Sequence, residues 1–444
     1  MPQREYTVQF TQSEQISIDY FLANMHWNKA YQPVSPGSPK AMAQLAAMKE
    51  RYLAYRHGWR GIPEAAISQG LHDRFYSEMQ QPPHSVDIEV ASVCDLACPH
   101  CYRQYIATPD KLITDELFYR AVDQCAELGV PSIKFNWRGE PLLHPKLPEY
   151  IAYAKQKGIL ETAINTNAVT LTAEKSRKLI EAGLDLMIYS FDGGTAETYN
   201  KIRQGRYKEN HFEAVCENIQ RFHAIREELE SPFPRTRIQM VLTPDAMNEI
   251  DAFRQRFEPI VDDVLIKAYE ERGWELDLLN DSERQQLKAK QAKLAQVEPA
   301  AAEQIQFWKK PNGTLLYATH RLPCQQIYQR LMVSYDGSVY MCCNDWGNEH
   351  PVGYLDEGGI DGSVKDYEAV YEQAQSQKQG FELLAAVQLP QRYNQPERRV
   401  STLAEIWDSA ELNAVRSLHL QNRVNEIPAC KKCTFRDTFR WEEL

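Results

Sequence analysis

Between residues 86 and 268 the chain alternates strand-like runs with amphipathic stretches of helical length. The strand candidates are 86–92, 132–138, 161–166, 185–191, 236–243 and 262–268. Helical stretches between them include 114–128, 172–183 and 209–227. This alternation constrains the fold more than any other feature of the chain. Strands joined by helices pair in parallel through right-handed crossovers. Six such units predict an α/β chain, a partial (β/α)6 TIM-like barrel whose site gathers at the C-terminal ends of the strands.

Side chains alternate along a strand. One face of the candidates carries Glu89; Lys134, Asn136 and Arg138; Asn165 and Asn167; Ser190 and Asp192; Arg237 and Gln239. The other carries Ile88 and Val90; Ile133, Phe135 and Trp137; Ile238, Met240 and Leu242. Helices must cover the apolar face, so the polar face points inward. An ordinary barrel packs its interior with Val, Ile and Leu. A polar interior instead predicts a wet cavity for a polar ligand, unless some of these are solvated edge strands.

A chain of 444 residues holds two or three domains. Residues 1–85 read as a helical N-terminal extension, with helix-like composition from Ala41 to Arg56 and a linker at Gln80–Pro83. The barrel follows over 86–268. Residues 269–323 are charged, Gln-rich and expected to form a helical bridge. Residues 324–444 hold five of the ten cysteines and form a third unit, with a polar insertion at 355–400.

The net charge of −11 disfavours a nucleic-acid partner. Met1–Tyr20 lacks the apolar core of a signal peptide. No apolar run reaches about 18 residues, so no membrane span is expected. The expected location is cytoplasmic, where ten cysteines read as metal ligands, catalytic thiols or buried small residues rather than a disulfide framework.

Directly after the first strand stands Cys94-Asp95-Leu96-Ala97-Cys98-Pro99-His100-Cys101. Three thiolates within eight residues can wrap one small inorganic core. A cubane has four irons, so one iron stays open to an external ligand. Zinc is the alternative and wants a fourth protein ligand. His100 is on offer, but it lies between two of the cysteines and can hardly converge on the same ion.

This C-x3-C-x2-C loop resembles the signature of the radical S-adenosylmethionine (radical SAM) superfamily, with His100 at the position where an aromatic residue precedes the third cysteine. The resemblance implies a 4Fe-4S cluster on Cys94, Cys98 and Cys101. Its open iron binds S-adenosylmethionine, which is cleaved to a 5′-deoxyadenosyl radical that abstracts a substrate hydrogen. Other motifs agree in order. Gly139-Glu140-Pro141 resembles the family's Gly-Gly-Glu segment, which holds the S-adenosylmethionine amine, although Arg138 replaces the first glycine. Ser190 and Asp192 resemble its ribose-facing Ser-x-Asp segment. Asn165 and Asn167 resemble a segment that contacts S-adenosylmethionine or substrate, and Arg203 matches a position that pairs with the methionine carboxylate.

Later, Cys324 is followed by twelve residues, Gly337, four residues and Cys342, then by Cys430-Lys431-Lys432-Cys433. The pattern resembles a shortened SPASM, or twitch-like, domain. That implies a small C-terminal iron–sulfur domain and a second, auxiliary 4Fe-4S cluster on Cys324, Cys342, Cys430 and Cys433. Adjacent Cys343 competes with Cys342, and a structural zinc site is the alternative. Cys125 and Cys216 fall in helix-like segments and read as core thiols.

The resemblance implies an oxidoreductase or epimerase fed by a flavodoxin- or ferredoxin-type reductant. The preferred substrate is a polar small molecule of sugar, aminocyclitol or nucleotide-sugar type. Peptide or protein side-chain modification and a non-catalytic metal-binding scaffold are the alternatives. An oxidation needs a base. His144, Tyr269, Glu270 and Glu271 are candidates near strand ends, and Asp345 and Trp346 are further residues placed to face the cavity; none is preferred, so the catalytic residue is left open.

Overall fold

In the computed structural model, most of residues 81–268, 323–376 and 396–433 are described. So are parts of 39–59, a few positions between 282 and 296, two strands within 306–318, Asn394 and Glu442–Glu443. The expected alternation is present. Parallel strands β1 (Ser85–Ile88), β2 (Ser132–Lys134), β3 (Glu161–Thr166), β4 (Leu186–Ser190), β5 (Arg235–Leu242) and β6 (Asp263–Ala268) lie side by side in chain order. The sheet is open, a partial barrel that does not close. Helices α1 (Asp115–Leu128), α2 (Leu147–Gln156), α3 (Ala173–Glu181), α4 (Ala196–Ile202), α5 (Phe212–Glu228) and α6 (Ile250–Phe257) fill the crossovers.

Local chemistry sets the helix ends. The Thr114 hydroxyl accepts from the Leu117 amide to start α1, and Gly129, at φ +73°, ends it. Along α1, Leu117, Phe118, Ala121, Val122 and Cys125 form one buried stripe. The stripe packs on Val86, Ile88, Ile133 and Phe135, the helix-facing side of the sheet. Phe118 stacks on Tyr150 of α2 with ring centroids 3.7 Å apart.

The second strand departs from expectation. It spans only Ser132–Lys134 rather than 132–138. Beyond it the Asn136 amide oxygen accepts from the Asn165 amide at 2.9 Å, a side chain taking the place of a backbone carbonyl in the ladder. With the strand ended, alternation lapses. Trp137, expected on the helix-facing side, packs instead with Met332 and Tyr340.

The segment read as a third unit adds to the same sheet. Strand β9 (Arg330–Val333) pairs in parallel with β1, followed by antiparallel β10 (Ser338–Tyr340) and β11 (Pro351–Tyr354). Within the expected helical bridge, β7 (Gln306–Lys309) and β8 (Leu315–Ala318) form an antiparallel pair, joined at its edge by β12 (Glu442–Glu443). Aromatic and aliphatic residues in these runs favour strand over helix. In the insertion at 355–400, α7 (Ser363–Ser376) is described. Helices α8 (Leu403–Trp407), α9 (Ala410–Leu420) and α10 (Pro428–Lys431) follow, the first opened by a Thr402–Glu405 capping box.

The inward face is filled at its lower end. Helical positions within 39–59 place Met48, Tyr52, Tyr55 and Trp59 against Ala163 and Leu186. Arg56 sits 5.1 Å from the Trp59 ring centroid and Arg330 4.8 Å from it. Gln329 donates to the Trp59 carbonyl at 2.8 Å. Charged groups accompany these aromatics: Arg56, Glu161 and Arg237 surround Tyr52, and Arg237 pairs with Asp263 at 2.6 Å. No helix among the described residues is long and apolar enough to cross a membrane.

Replacing Phe118 by Ala removes a fully buried ring from the interface between helix and sheet. It is expected to destabilise the fold by about 3–5 kcal/mol, read as a lowered thermal or denaturant midpoint.

Candidate functional site

The cysteine loop leaves the C-terminal end of β1 and is pinned from several sides. The Cys101 amide donates to the Cys98 carbonyl at 2.9 Å, that of Ala97 to Gln204 at 2.7 Å, and that of Glu140 to Val93 at 2.8 Å. Cys98 is buried, while Cys94 and Cys101 are half-buried; all three are free thiols. Burial pushes the Cys98 thiol up to about 12 even though Arg203 draws it down. Burial, and next the Glu140 carboxylate, likewise raise Cys94. Unligated, these thiols are protonated at neutral pH, and a bound metal centre would favour their thiolates. Among the described residues no three His, Cys, Asp or Glu side chains converge on a single ion. A cubane asks for less convergence, because each thiolate takes a different iron.

Gly139 lets the second motif reach this loop. Its φ is +68°, and a Cβ there would meet the Ala91 carbonyl oxygen at 2.3 Å and that of Val93 at 2.6 Å. Only a residue without a side chain fits. Glu140 follows, 2% exposed, and accepts from the Asn167 amide (2.8 Å), the Thr166 hydroxyl (2.7 Å) and the Leu142 amide (3.0 Å). Burial, with Asp95 adding to it, still lifts its pKa to about 7. No cation pairs with it among the described residues, so this carboxylate suits an incoming ammonium. Pro141 opens the short turn after it.

Asn167 ties the third strand end to the loop. Its side-chain amide donates to Asp95 at 2.6 Å and its oxygen accepts from Val169 at 2.9 Å. The Asn165 side-chain oxygen, by contrast, is buried without a donor among the described residues. The Ser190 hydroxyl accepts from Gln239 at 3.4 Å. Asp192 is fully buried. Its Oδ1 accepts from the Val241 amide, and its Oδ2 lies 2.6 Å from Arg203 and 3.6 Å from His100. Burial alone would lower Arg203, but Asp192 beside it holds the guanidinium firmly charged. Burial drives His100 the other way, to about 4, so it is neutral at pH 7. Arg203 also approaches the Cys98 sulfur at 4.0 Å. The sequence motifs of strands two, three and four thus meet at one rim.

The later cysteines gather as well. The Cys342 thiol is raised first by burial and then by Cys343, Cys430, Cys324 and Cys433 around it. Cys342 leans on the main core, whereas Cys343 joins Trp137, Met332, Tyr340 and Trp346. The pattern gave no hint of His419. It is 1% exposed, accepts from the Cys324 amide at 3.1 Å and places Nε2 3.5 Å from the Cys430 sulfur.

The base candidates separate. His144 lies away from the inward face, its ring against Tyr150 and its Nδ1 accepting from Lys146 at 3.2 Å. Asp345, pushed up to about 6 by burial, accepts from the Glu349 and His350 amides at 2.9 Å each and holds its own loop. Trp346 meets Tyr102 edge-on at 6.3 Å, next to Cys101. Tyr269, Glu270 and Glu271 lie outside the described residues.

Arg138, the departure from the family pattern, is 1% exposed and forms a two-pronged ion pair with Glu89, at 2.7 Å from Nε and 2.7 Å from Nη2. Burial opposes both charges, yet each holds the other ionised, lowering the Glu89 carboxyl and raising the Arg138 guanidinium.

Residues 88–245 match the family model described as the Radical SAM superfamily. The Fe-coproporphyrin III synthase of Methanosarcina barkeri is 39% identical over 112 residues, covering 25% of this chain and 27% of that protein. A tungsten-containing aldehyde ferredoxin oxidoreductase cofactor-modifying protein of Pyrococcus furiosus is 27% identical over 165 residues, covering 37% and 45%. The GTP 3′,8-cyclase of Chlorobaculum tepidum is 33% identical over 162 residues, covering 36% and 46%. The match spans less than half the length of each. Among solved structures, BtrN in complex with AdoMet and 2-DOIA is 14% identical with a TM-score of 0.43, over 82% of this chain and 98% of that one. Streptococcus suis SuiB bound to precursor peptide SuiA is 13% identical with a TM-score of 0.47, over 91% and 78%. The family match runs from the end of β1 past β5, the stretch whose strand ends carry the cysteine loop and its partners, and residues 88–245 are a radical SAM domain.

Proposed function

We propose that the chain is a radical SAM enzyme that oxidises or epimerises a polar small molecule of sugar, aminocyclitol or nucleotide-sugar type. Cys94, Cys98 and Cys101 would hold the first 4Fe-4S cluster, and Cys324, Cys342, Cys430 and Cys433 an auxiliary one. When bound, the first cluster and S-adenosylmethionine supply a 5′-deoxyadenosyl radical that takes a hydrogen atom from substrate. The chain's own work is placement. Glu140 would receive the ammonium, Arg203, held by Asp192, would lie toward the carboxylate, Ser190 and the Asp192 strand end would serve the ribose, and Asn165 and Asn167 would complete the rim. Gly139 and Pro141 shape the turn that brings Glu140 to the loop. A flavodoxin- or ferredoxin-type protein would deliver the electron.

The observation that supports the substrate class is the polar lining of the inner strand ends. Polar side chains cluster at the inner strand ends: the Asn136 oxygen accepts from the Asn165 amide, Ser190 accepts from Gln239, and the Asn165 oxygen is buried without a donor among the described residues. Tyr52 and Trp59 pack with Ala163 and Leu186 below these ends, and Trp137 packs with Met332 and Tyr340. A small ring with hydroxyls satisfies such amides and leaves no buried polar group unpaired.

Anaerobic reconstitution followed by dithionite and S-adenosylmethionine is expected to yield 5′-deoxyadenosine, and deuterium should pass into it from a labelled sugar or cyclitol. Loaded protein that forms none would sink the enzyme reading. Deuterium arriving only from peptides would overturn the substrate class.

Cys98→Ala should roughly halve the iron per chain and abolish 5′-deoxyadenosine. Cys430→Ala should also lower iron but leave the electron paramagnetic resonance response of the first cluster to S-adenosylmethionine. Equal loss of both signals in either variant would argue against two separate clusters.

Glu140, with its pKa near 7, is protonated below that pH and then cannot pair with an ammonium. S-adenosylmethionine affinity is therefore expected to fall as pH drops from about 8 to 6, by up to tenfold per unit. Glu140→Gln should bind weakly and lose this dependence. A profile that persists in Glu140→Gln would assign it to another group.

A further inference from the structure

The Arg138 guanidinium joins segments far apart in sequence. Glu89 lies at the end of β1, two residues before the cysteine-loop segment that Gly139 underlies. Ser334, which follows β9, lies 3.4 Å from Nη2 and itself donates to Glu89 at 3.1 Å. Tyr367 of α7 accepts from Nη1 at 2.8 Å. Asn348 stands in the loop that follows Cys342 and Cys343. With its amide oxygen turned inward, it accepts from the Tyr367 hydroxyl and from both Arg138 terminal nitrogens, at 3.2 and 3.1 Å. Asn348 is 1% exposed and adopts φ +55°, a left-handed conformation that asparagine tolerates.

Helix α7 is docked by more than this hub. Tyr367, Val370 and Tyr371 pack on Ala107, six residues beyond Cys101. Asp366 pairs with Lys111 at 3.0 Å. Just before α7, the Leu355 carbonyl and Asp356 carboxylate both accept from Arg120 of α1 at 3.0 Å. The segment read from sequence as a polar insertion therefore covers the far side of the first cysteine loop.

We infer that Arg138 is a positioning residue: its guanidinium couples the docking of α7 and the Cys342–Asn348 loop to the placement of Gly139 and Glu140 against the first cysteine loop. This rests on the proposed binding of S-adenosylmethionine at that loop. A guanidinium fork can bind a carboxylate, a phenol and an amide at once, because it is planar and always charged. A lysine or glycine at 138 cannot. The next residue is Gly139, which tolerates no shift of the loop above it. Movement of the fork is passed directly to Glu140.

The test uses full-length, reconstituted protein with two variants. Tyr367→Phe keeps the ring and the buried ion pair but removes the hydroxyl that bridges Arg138 and Asn348. Arg138→Lys keeps the charge and removes the fork. Hydrogen–deuterium exchange reads docking at residues 363–376 and 342–350. Equilibrium dialysis with S-adenosylmethionine reads the rim and needs no turnover. In both variants exchange should quicken at both segments, iron content should match wild type, and S-adenosylmethionine affinity should weaken about fivefold or more. Faster exchange with unchanged affinity would overturn the coupling, and unchanged exchange would remove the hub itself. A purely structural role would instead lower iron content and melting temperature together, with no selective loss of affinity, and would also overturn it. If wild-type protein with a full cluster complement binds no S-adenosylmethionine, the proposed function fails first, and the exchange data still report whether the hub holds α7.

Discussion

Glu89 and Arg138 are opposite charges with side chains fully removed from solvent. Taking either out of water is costly, and their attraction offsets that cost only with matched geometry and every remaining donor satisfied. The fold meets these conditions by drawing in Ser334, Tyr367 and Asn348 from beyond the barrel. The nine-stranded sheet follows from the same demand. Strand β9 lies beside β1, and Ser334 comes directly after it.

Much of the barrel was legible in advance. Period-two patterning located the strands from β3 to β6 within about a residue; in β4 and β5 the helix side alternates Met187 with Tyr189 and Ile238 with Met240. The end of β2 was not legible. Asn136 reads as one more strand residue, and only the fold shows its amide replacing a backbone acceptor. The β7–β8 pair was missed because its charged, Gln-rich surroundings dominate the local composition.

The candidate site divides the same way. Cysteine spacing and the Gly-Glu step are local signals, so Cys94, Cys98, Cys101, Gly139 and Glu140 could be named from the chain alone. The partners that complete the site are separated from them by tens to hundreds of residues. Asn167 on Asp95, His419 beside Cys430 and Tyr367 on Arg138 carry no spacing that marks them. Arg138 itself looked like a flaw in a motif. It becomes intelligible only when its counter-charge, two strands and one helix are in view.

The aromatic floor below the strand ends has a consequence for how the chain comes to be folded on the ribosome. Trp59 is held by a hydrogen bond from Gln329, 270 positions further along. At roughly 5–20 residues per second, synthesis separates the two by about 10–60 s. For that interval the aromatic side chains of the amino-terminal helix have no complete seat, although β3 and β4 emerge earlier and offer Ala163 and Leu186. This floor contact is therefore completed only when the last third of the chain is being made.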